Sequence, residues 1–146
     1  MHDFIQHRSC WLLNTYTPKT SFIESKRLYY FSLKPENILI TANGYIKLTD
    51  FGLSISNIMG DYERFSVCGT PEYLAPEVIK AEGHGRAVDW WCLGCLIFEL
   101  VNGLPPFYSK NKGQLYEKIK SSEPEFNKNW SKNLRDLLSK LLNKNP

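Results

Sequence analysis

The sequence has no long hydrophobic run. Its longest apolar stretch, Trp90–Phe98, falls well short of the about 20 residues that a membrane-spanning helix needs. No basic N-terminal stretch leads into an apolar core, so secretion is not expected. A cytoplasmic location is expected, with the nucleus as the alternative. Nor is there a marked excess of one charge. Lys and Arg total 18 against 15 Asp and Glu, a net +3 over 146 residues. Charge alone therefore gives no reason to expect nucleic-acid or membrane binding. Cysteine is sparse, and the four (Cys10, Cys68, Cys92 and Cys95) are expected as reduced thiols. His2, His7 and Cys10 find no fourth ligand at suitable spacing, so no metal site is expected there. Internal repeats and low-complexity linkers are also missing.

What remains is an ordinary globular composition, 42% hydrophobic and 23% charged. The length fits one domain in the usual range of about 100–200 residues. Residues 1–30 hold no sustained period of 3.6 or 2 and are expected to be an unassigned, poorly ordered segment. From Leu33 onward the pattern sharpens. Ile38-Leu39-Ile40 and Tyr45-Ile46-Lys47-Leu48 are short β-prone runs joined through Asn43-Gly44, which predicts a hairpin because both turn residues tolerate positive φ. Leu53–Val67 reads as a polar loop. Asp89 is placed to cap a helix running to about Val101, closed by Gly103 and blocked by Pro105-Pro106. That helix is apolar on nearly every side (Trp90, Trp91, Leu93, Leu96, Ile97, Phe98, Leu100) and is expected at the centre of the fold. Cys92 and Cys95 lie on it as small core residues. A last helix starts near Ser131, with Leu134, Leu137, Leu138, Leu141 and Leu142 in one stripe. The expected class is mainly α (α+β) with a small β-hairpin.

Three stretches carry chemistry. They are Leu33-Lys34-Pro35-Glu36-Asn37, Asp50-Phe51-Gly52, and the run CGTPEYLAPEVI from Cys68 to Ile79. Lys34 and Asn37 precede one strand of the hairpin and Asp50 follows the other. The hairpin thus brings an ammonium, an amide oxygen and a carboxylate to one end, a set suited to Mg²⁺ and a phosphate chain. Each element is weak alone; their order and spacing make the set specific.

Together these motifs resemble the large lobe of a eukaryotic serine/threonine protein kinase. The run GRAVDWWCLGCLIFEL, followed by LPPF, is similar to the AGC group in particular. The resemblance implies a partial kinase domain over residues 31–146, running from the catalytic loop and without the small lobe. It implies ATP and Mg²⁺ as cofactors and transfer of the γ-phosphoryl group to protein Ser or Thr. Asp50 and Asn37 would hold Mg²⁺, Lys34 would neutralise the transferring group, and Thr70 would position the catalytic loop. Val67, Pro71 and Leu74 would line a pocket for the residue after the substrate hydroxyl. Glu36, Glu72 and Glu99 match positions that pair with substrate arginines, so a basic peptide is the implied protein substrate. Ser66 matches the activation-loop phosphorylation position. Phe51 and Gly52 complete the Asp-Phe-Gly motif and Glu77 closes Ala75-Pro76-Glu77. Asp89 would hold the catalytic-loop backbone.

The departures bear on activity. Where the family carries His/Tyr-Arg-Asp, this chain has Tyr30-Phe31-Ser32. The missing aspartate accepts the substrate hydroxyl's proton, and such general-base help is worth about 10²–10⁴-fold. The missing arginine grips the activation-loop phosphate, which Phe31 cannot do. No Gly-rich loop and no Val-Ala-Ile-Lys strand occurs, and the family arginine that pairs with Glu77 falls beyond Pro146. Three readings follow: a kinase fragment catalytically impaired on its own, a non-catalytic module that binds a basic peptide or a partner kinase, or an incomplete gene model of an active AGC kinase.

Overall fold

Two three-residue strands, β1 (Ile38–Ile40) and β2 (Ile46–Leu48), pair antiparallel with Ile38 opposite Leu48, Leu39 opposite Lys47 and Ile40 opposite Ile46. The expected Asn-Gly turn joins them. Gly44 adopts φ +84°, where a side chain would be strained, and the Thr41 hydroxyl accepts the Tyr45 N–H at 2.9 Å. This computed structural model describes residues 30–52, 54 and 69–146. Ser66, Val67, Cys68, residues 1–29 (His2, His7 and Cys10 among them), and the predicted 53–67 loop apart from Ser54 lie outside the described residues.

The rest of the described fold is helical: α1 (Pro76–Lys80), α2 (Ala87–Asn102), α3 (Lys112–Ser121) and α4 (Lys132–Leu141), with 3-10 turns at Pro35–Asn37 and Pro71–Tyr73. Proline opens both turns and α1, where its fixed φ suits a first helical position and its missing N–H costs nothing. Neither α1 nor α3 is among the sequence expectations: α1 is short, and α3 buries only Leu115 and Ile119, one turn apart. Asn111 caps α3 by accepting the Gln114 N–H, and Ser131 caps α4 by accepting that of Leu134.

The central helix is α2. Every side chain from Trp91 to Phe98 is buried, whereas Trp90 is exposed. Its C-terminus closes on Gly103 at φ +88°, as the sequence predicts. Its N-terminus differs from expectation. Arg86 occupies the cap without a side-chain bond, and Asp89 sits inside the first turn with its carboxylate turned to another segment. The reason is competition: the backbone N–H groups of Tyr30 and Phe31 claim the carboxylate.

Helix α4 packs on α2, α1 packs on α3, and the 71–73 turn bridges α2 and α3. The closest approach is at Gly94, where an added Cβ would lie 2.9 Å from Leu142 Cδ2 and 3.0 Å from Leu141 Cβ. Beside it, Phe98 meets Trp130 edge-to-face with centroids 5.2 Å apart. Cys92 and Cys95 are buried, free thiols within this core. No helix among the described residues is long and apolar enough to cross a membrane.

Candidate active site

The segment from Tyr30 to Asn37 is held from three directions. From α2, the Asp89 carboxylate accepts the Tyr30 N–H and the Phe31 N–H, both at 2.8 Å. From the residue just after β2, the carbonyl of Thr49 accepts the Tyr30 hydroxyl proton. From the segment entering α1, the Thr70 hydroxyl accepts from the Lys34 ammonium at 2.9 Å. Two non-glycine residues here lie in the left-handed region, Phe31 at φ +56° and Asp50 at φ +57°. Each such conformation costs on the order of 1–3 kcal/mol and persists only where surrounding bonds over-determine it. The paired bonds to Asp89 do that for Phe31, and its ring also packs edge-on against His84, centroids 5.3 Å apart.

Burial shapes the electrostatics. Desolvation raises the Asp89 pKa, and the two donated N–H bonds oppose that rise. Tyr30 is pushed up to about 12, first by burial and then by the Asp50 and Asp89 carboxylates.

A cavity of about 290 Å³ opens beside this loop. Ser32, Lys34, Asp50 and Thr70 line its polar side, and Leu74, Val78, Val88 and Cys92 its apolar side. Thus Lys34, Asp50, Thr70 and Leu74 share one cavity. Asn37 stands behind it, buried, with its amide nitrogen donating to the Ser32 carbonyl at 2.8 Å and to the Ser32 hydroxyl at 2.6 Å. Phe51 is exposed and stacks edge-on to Tyr30, while the Gly52 N–H is donated to Asp50 Oδ1. Glu36 is exposed, and Glu72 and Pro71 are half-buried on the 71–73 turn. Glu99 lies on α2, where it accepts the hydroxyl proton of Tyr73. That bond and burial drive the Tyr73 pKa far up, burial contributing most. Glu77 is buried on α1, and among the described residues no cation forms an ion pair with it.

The hairpin end thus carries an ammonium, a carboxylate and an amide, and the adjoining segment is pinned by Asp89 to the central helix. The protein kinase domain family matches residues 18–146. This chain belongs to the protein kinase family. The kinase match starts ahead of Leu33, where the sequence motifs begin. The chain is 49% identical over 121 residues to the cAMP-dependent protein kinase catalytic subunit PRKX of Homo sapiens, covering 83% of this chain and 33% of that protein. It is 41% identical over 141 residues to the serine/threonine-protein kinase Sgk1 of Homo sapiens, covering 97% of this chain and 33% of that protein. Sgk1-A of Xenopus laevis matches at 41%, over 97% of this chain and 32% of its own length. These relatives are AGC serine/threonine kinases, and the chain spans about a third of their length. Within the kinase family the hairpin and helical lobe are thus accounted for.

Sequence reasoning missed several contacts of this site. The Tyr30 hydroxyl, the Phe31–His84 pair and the Tyr73–Glu99 bond all join residues far apart in sequence, and no local pattern signals them.

Proposed function

We propose that the chain carries the catalytic-loop side of an ATP-dependent serine/threonine kinase site in a form impaired in phosphoryl transfer. The observation that carries this reading is Ser32. It occupies the position where the family has its proton-accepting aspartate, and its hydroxyl is buried and hydrogen-bonded to Asn37. A serine hydroxyl is far too weakly basic to accept a proton at neutral pH, which removes about 10²–10⁴-fold of catalysis. Among the described residues no carboxylate lies within ion-pair distance of the Lys34 ammonium to replace it.

The donor set fits Mg²⁺ carried by a nucleotide. Asp50 and Asn37 offer hard oxygens, while no cluster of three or more His, Cys, Asp or Glu among the described residues makes a self-sufficient metal cage. Mg²⁺ with ATP would supply the transferable γ-phosphoryl group and the charge neutralisation it requires. The chain's own part is positioning: Thr70 orients Lys34 towards that charge, and Asn37 ties Ser32 to the loop. Val67, Pro71 and Leu74 would receive the residue after the acceptor, with Glu36, Glu72 and Glu99 facing basic substrate side chains. A phosphate on Ser66 would lack the arginine that Phe31 replaces.

The test is transfer of labelled γ-phosphate to an arginine-rich serine peptide. The chain is expected to match its Asp50→Ala variant. Turnover that Asp50→Ala abolishes overturns the reading.

A non-catalytic interaction module is the second reading. It is favoured by Glu99, whose carboxylate is already fixed by Tyr73 and so needs no further ordering to meet a basic peptide. Titration of the peptide against the chain and against Glu99→Ala tests it, and an absence of saturable binding removes it.

A further inference from the structure

Beyond the kinase site, the sequence holds two Asn-Gly steps, Asn43-Gly44 and Asn102-Gly103. An asparagine followed by glycine is open to spontaneous deamidation, because no Cβ on the following residue hinders its backbone nitrogen from reaching the side-chain carbonyl. Both steps are exposed, and at both glycines an added Cβ would meet nothing within 4 Å. Exposure therefore does not separate them. Their backbones and side-chain bonds do.

Asn102 is the last residue of α2, a helix whose side chains are buried from Trp91 to Phe98. The Gly103 N–H donates to the Glu99 carbonyl at 2.7 Å and so belongs to the last turn of that anchored helix. The Asn102 side chain donates to the Leu104 carbonyl at 3.3 Å, a bond that engages its amide nitrogen. Asn43 instead sits at the tip between β1 and β2, strands of three residues each. The Gly44 N–H is held by a single turn bond, to the Thr41 carbonyl at 2.9 Å. Here the engaged atom of the side chain is the amide oxygen. The Thr41 hydroxyl accepts the Tyr45 N–H at 2.9 Å, and the Tyr45 carbonyl already accepts the Thr41 N–H at 2.8 Å. The hydroxyl proton therefore goes to Asn43 Oδ1, at 2.6 Å, in preference to the Tyr45 carbonyl at 3.0 Å. A donor on that oxygen stabilises the negative charge it gains when Cγ is attacked.

We propose that Asn43 is a site of spontaneous deamidation, polarised by the Thr41 hydroxyl, and that the fold withholds Asn102 from the same reaction. Opening of the turn frees the Gly44 nitrogen, which gives its proton to solvent hydroxide and bonds to Asn43 Cγ. The Cγ–Nδ2 bond breaks, and the amide leaves as ammonia after taking a proton from water. Water then adds to either carbonyl of the succinimide ring and opens it to an aspartyl or an isoaspartyl residue. Overall one water is consumed and one ammonia released, and neither ATP nor a metal takes part. Both products carry a new carboxylate, and the isoaspartyl form an extra backbone carbon. They fall at the tip of the hairpin that Lys34 precedes and Asp50 follows.

The full chain, incubated in mildly alkaline buffer and digested in acid at intervals, tests this by peptide mass. The peptide holding Asn43 should gain about 1 Da, and the peptide holding Asn102 should lag at least about tenfold. In the chain unfolded by urea the two should convert at similar rates, since both are then free Asn-Gly steps. Isoaspartyl product is read independently by enzymatic transfer of a labelled methyl group to its α-carboxylate, and Asn43→Gln should remove most of that label from the folded chain. Thr41→Ser should keep the folded rate, whereas Thr41→Val keeps the branched shape, loses the donor and should lower it. Conversion at Asn43 no faster than at Asn102 in the folded chain overturns the proposal. So does a folded chain that leaves Asn43 intact while the unfolded one converts. A Thr41→Val chain that converts as fast as wild type overturns the part given to the hydroxyl.

Discussion

The amide nitrogen of Asn37 donates to both the carbonyl and the hydroxyl of Ser32, at 2.8 and 2.6 Å. The two side chains form a closed hydrogen-bonded pair, with Ser32 and Asn37 both buried. The serine works as a strut of the loop.

That arrangement has a measurable cost if disturbed. Ser32→Ala removes one of two acceptors for the Asn37 amide and leaves the carbonyl in place. A loss of about 1 kcal/mol in denaturant unfolding is expected, because a buried donor keeps one partner. Peptide phosphorylation should be unchanged from its background level.

Asp89 holds the same loop from the far side. Asp89→Ala leaves the Tyr30 and Phe31 N–H groups buried without acceptors, at about 1–3 kcal/mol each. Asp89→Asn keeps one acceptor and should cost about half as much. Amide hydrogen exchange at residues 30 and 31 should accelerate in the order wild type, Asn, Ala.

Gly94 permits helix contact. Alanine favours a helix by up to about 1 kcal/mol over glycine, yet its Cβ would meet Leu142 Cδ2 at 2.9 Å and Leu141 Cβ at 3.0 Å. Leu142 is 2% exposed and has little room to move. Overpacking of this kind costs about 1–3 kcal/mol, so Gly94→Ala should lower stability by about 1 kcal/mol net, read as a drop in thermal midpoint.

Glu77 gives a pH dependence of defined sign. Burial raises its pKa above the ordinary 4.5, only partly offset by a hydrogen bond from the backbone and by nearby Lys80. A group with a raised folded pKa binds its proton more tightly when folded. Its contribution to stability is therefore full below pH 4.5 and is lost as pH rises through the folded value. Glu77→Gln should flatten that decline and leave the chain more stable than wild type at pH 7. Thermal midpoints of both proteins across this range check it.

Several elements were legible in the residue order because their causes are local. The β1–β2 hairpin follows from Asn43-Gly44 between β-prone runs, and α4 from Ser131 ahead of a leucine stripe. The end of α2 follows from Gly103, and its central burial from an apolar surface on nearly every side. Lys34 and Asp50, on either side of the hairpin, line one cavity, whereas Asn37 is buried against Ser32 outside that lining. The short helix α1 was not, because five residues leave no room for a hydrophobic period.

Residue order alone thus determined the hairpin, the central helix and the last helix, whose causes are local. Only the tertiary structure decided which partner each polar side chain takes. For Asp89, local capping pointed to its own helix and the family resemblance to the loop backbone, and the amides 59 and 58 residues away won. Lys144 reaches across 25 residues to the Ile119 carbonyl. A carboxylate or an ammonium carries no periodicity that names its partner, so its bond is settled by which unpaired donors and acceptors the packed helices bury beside it.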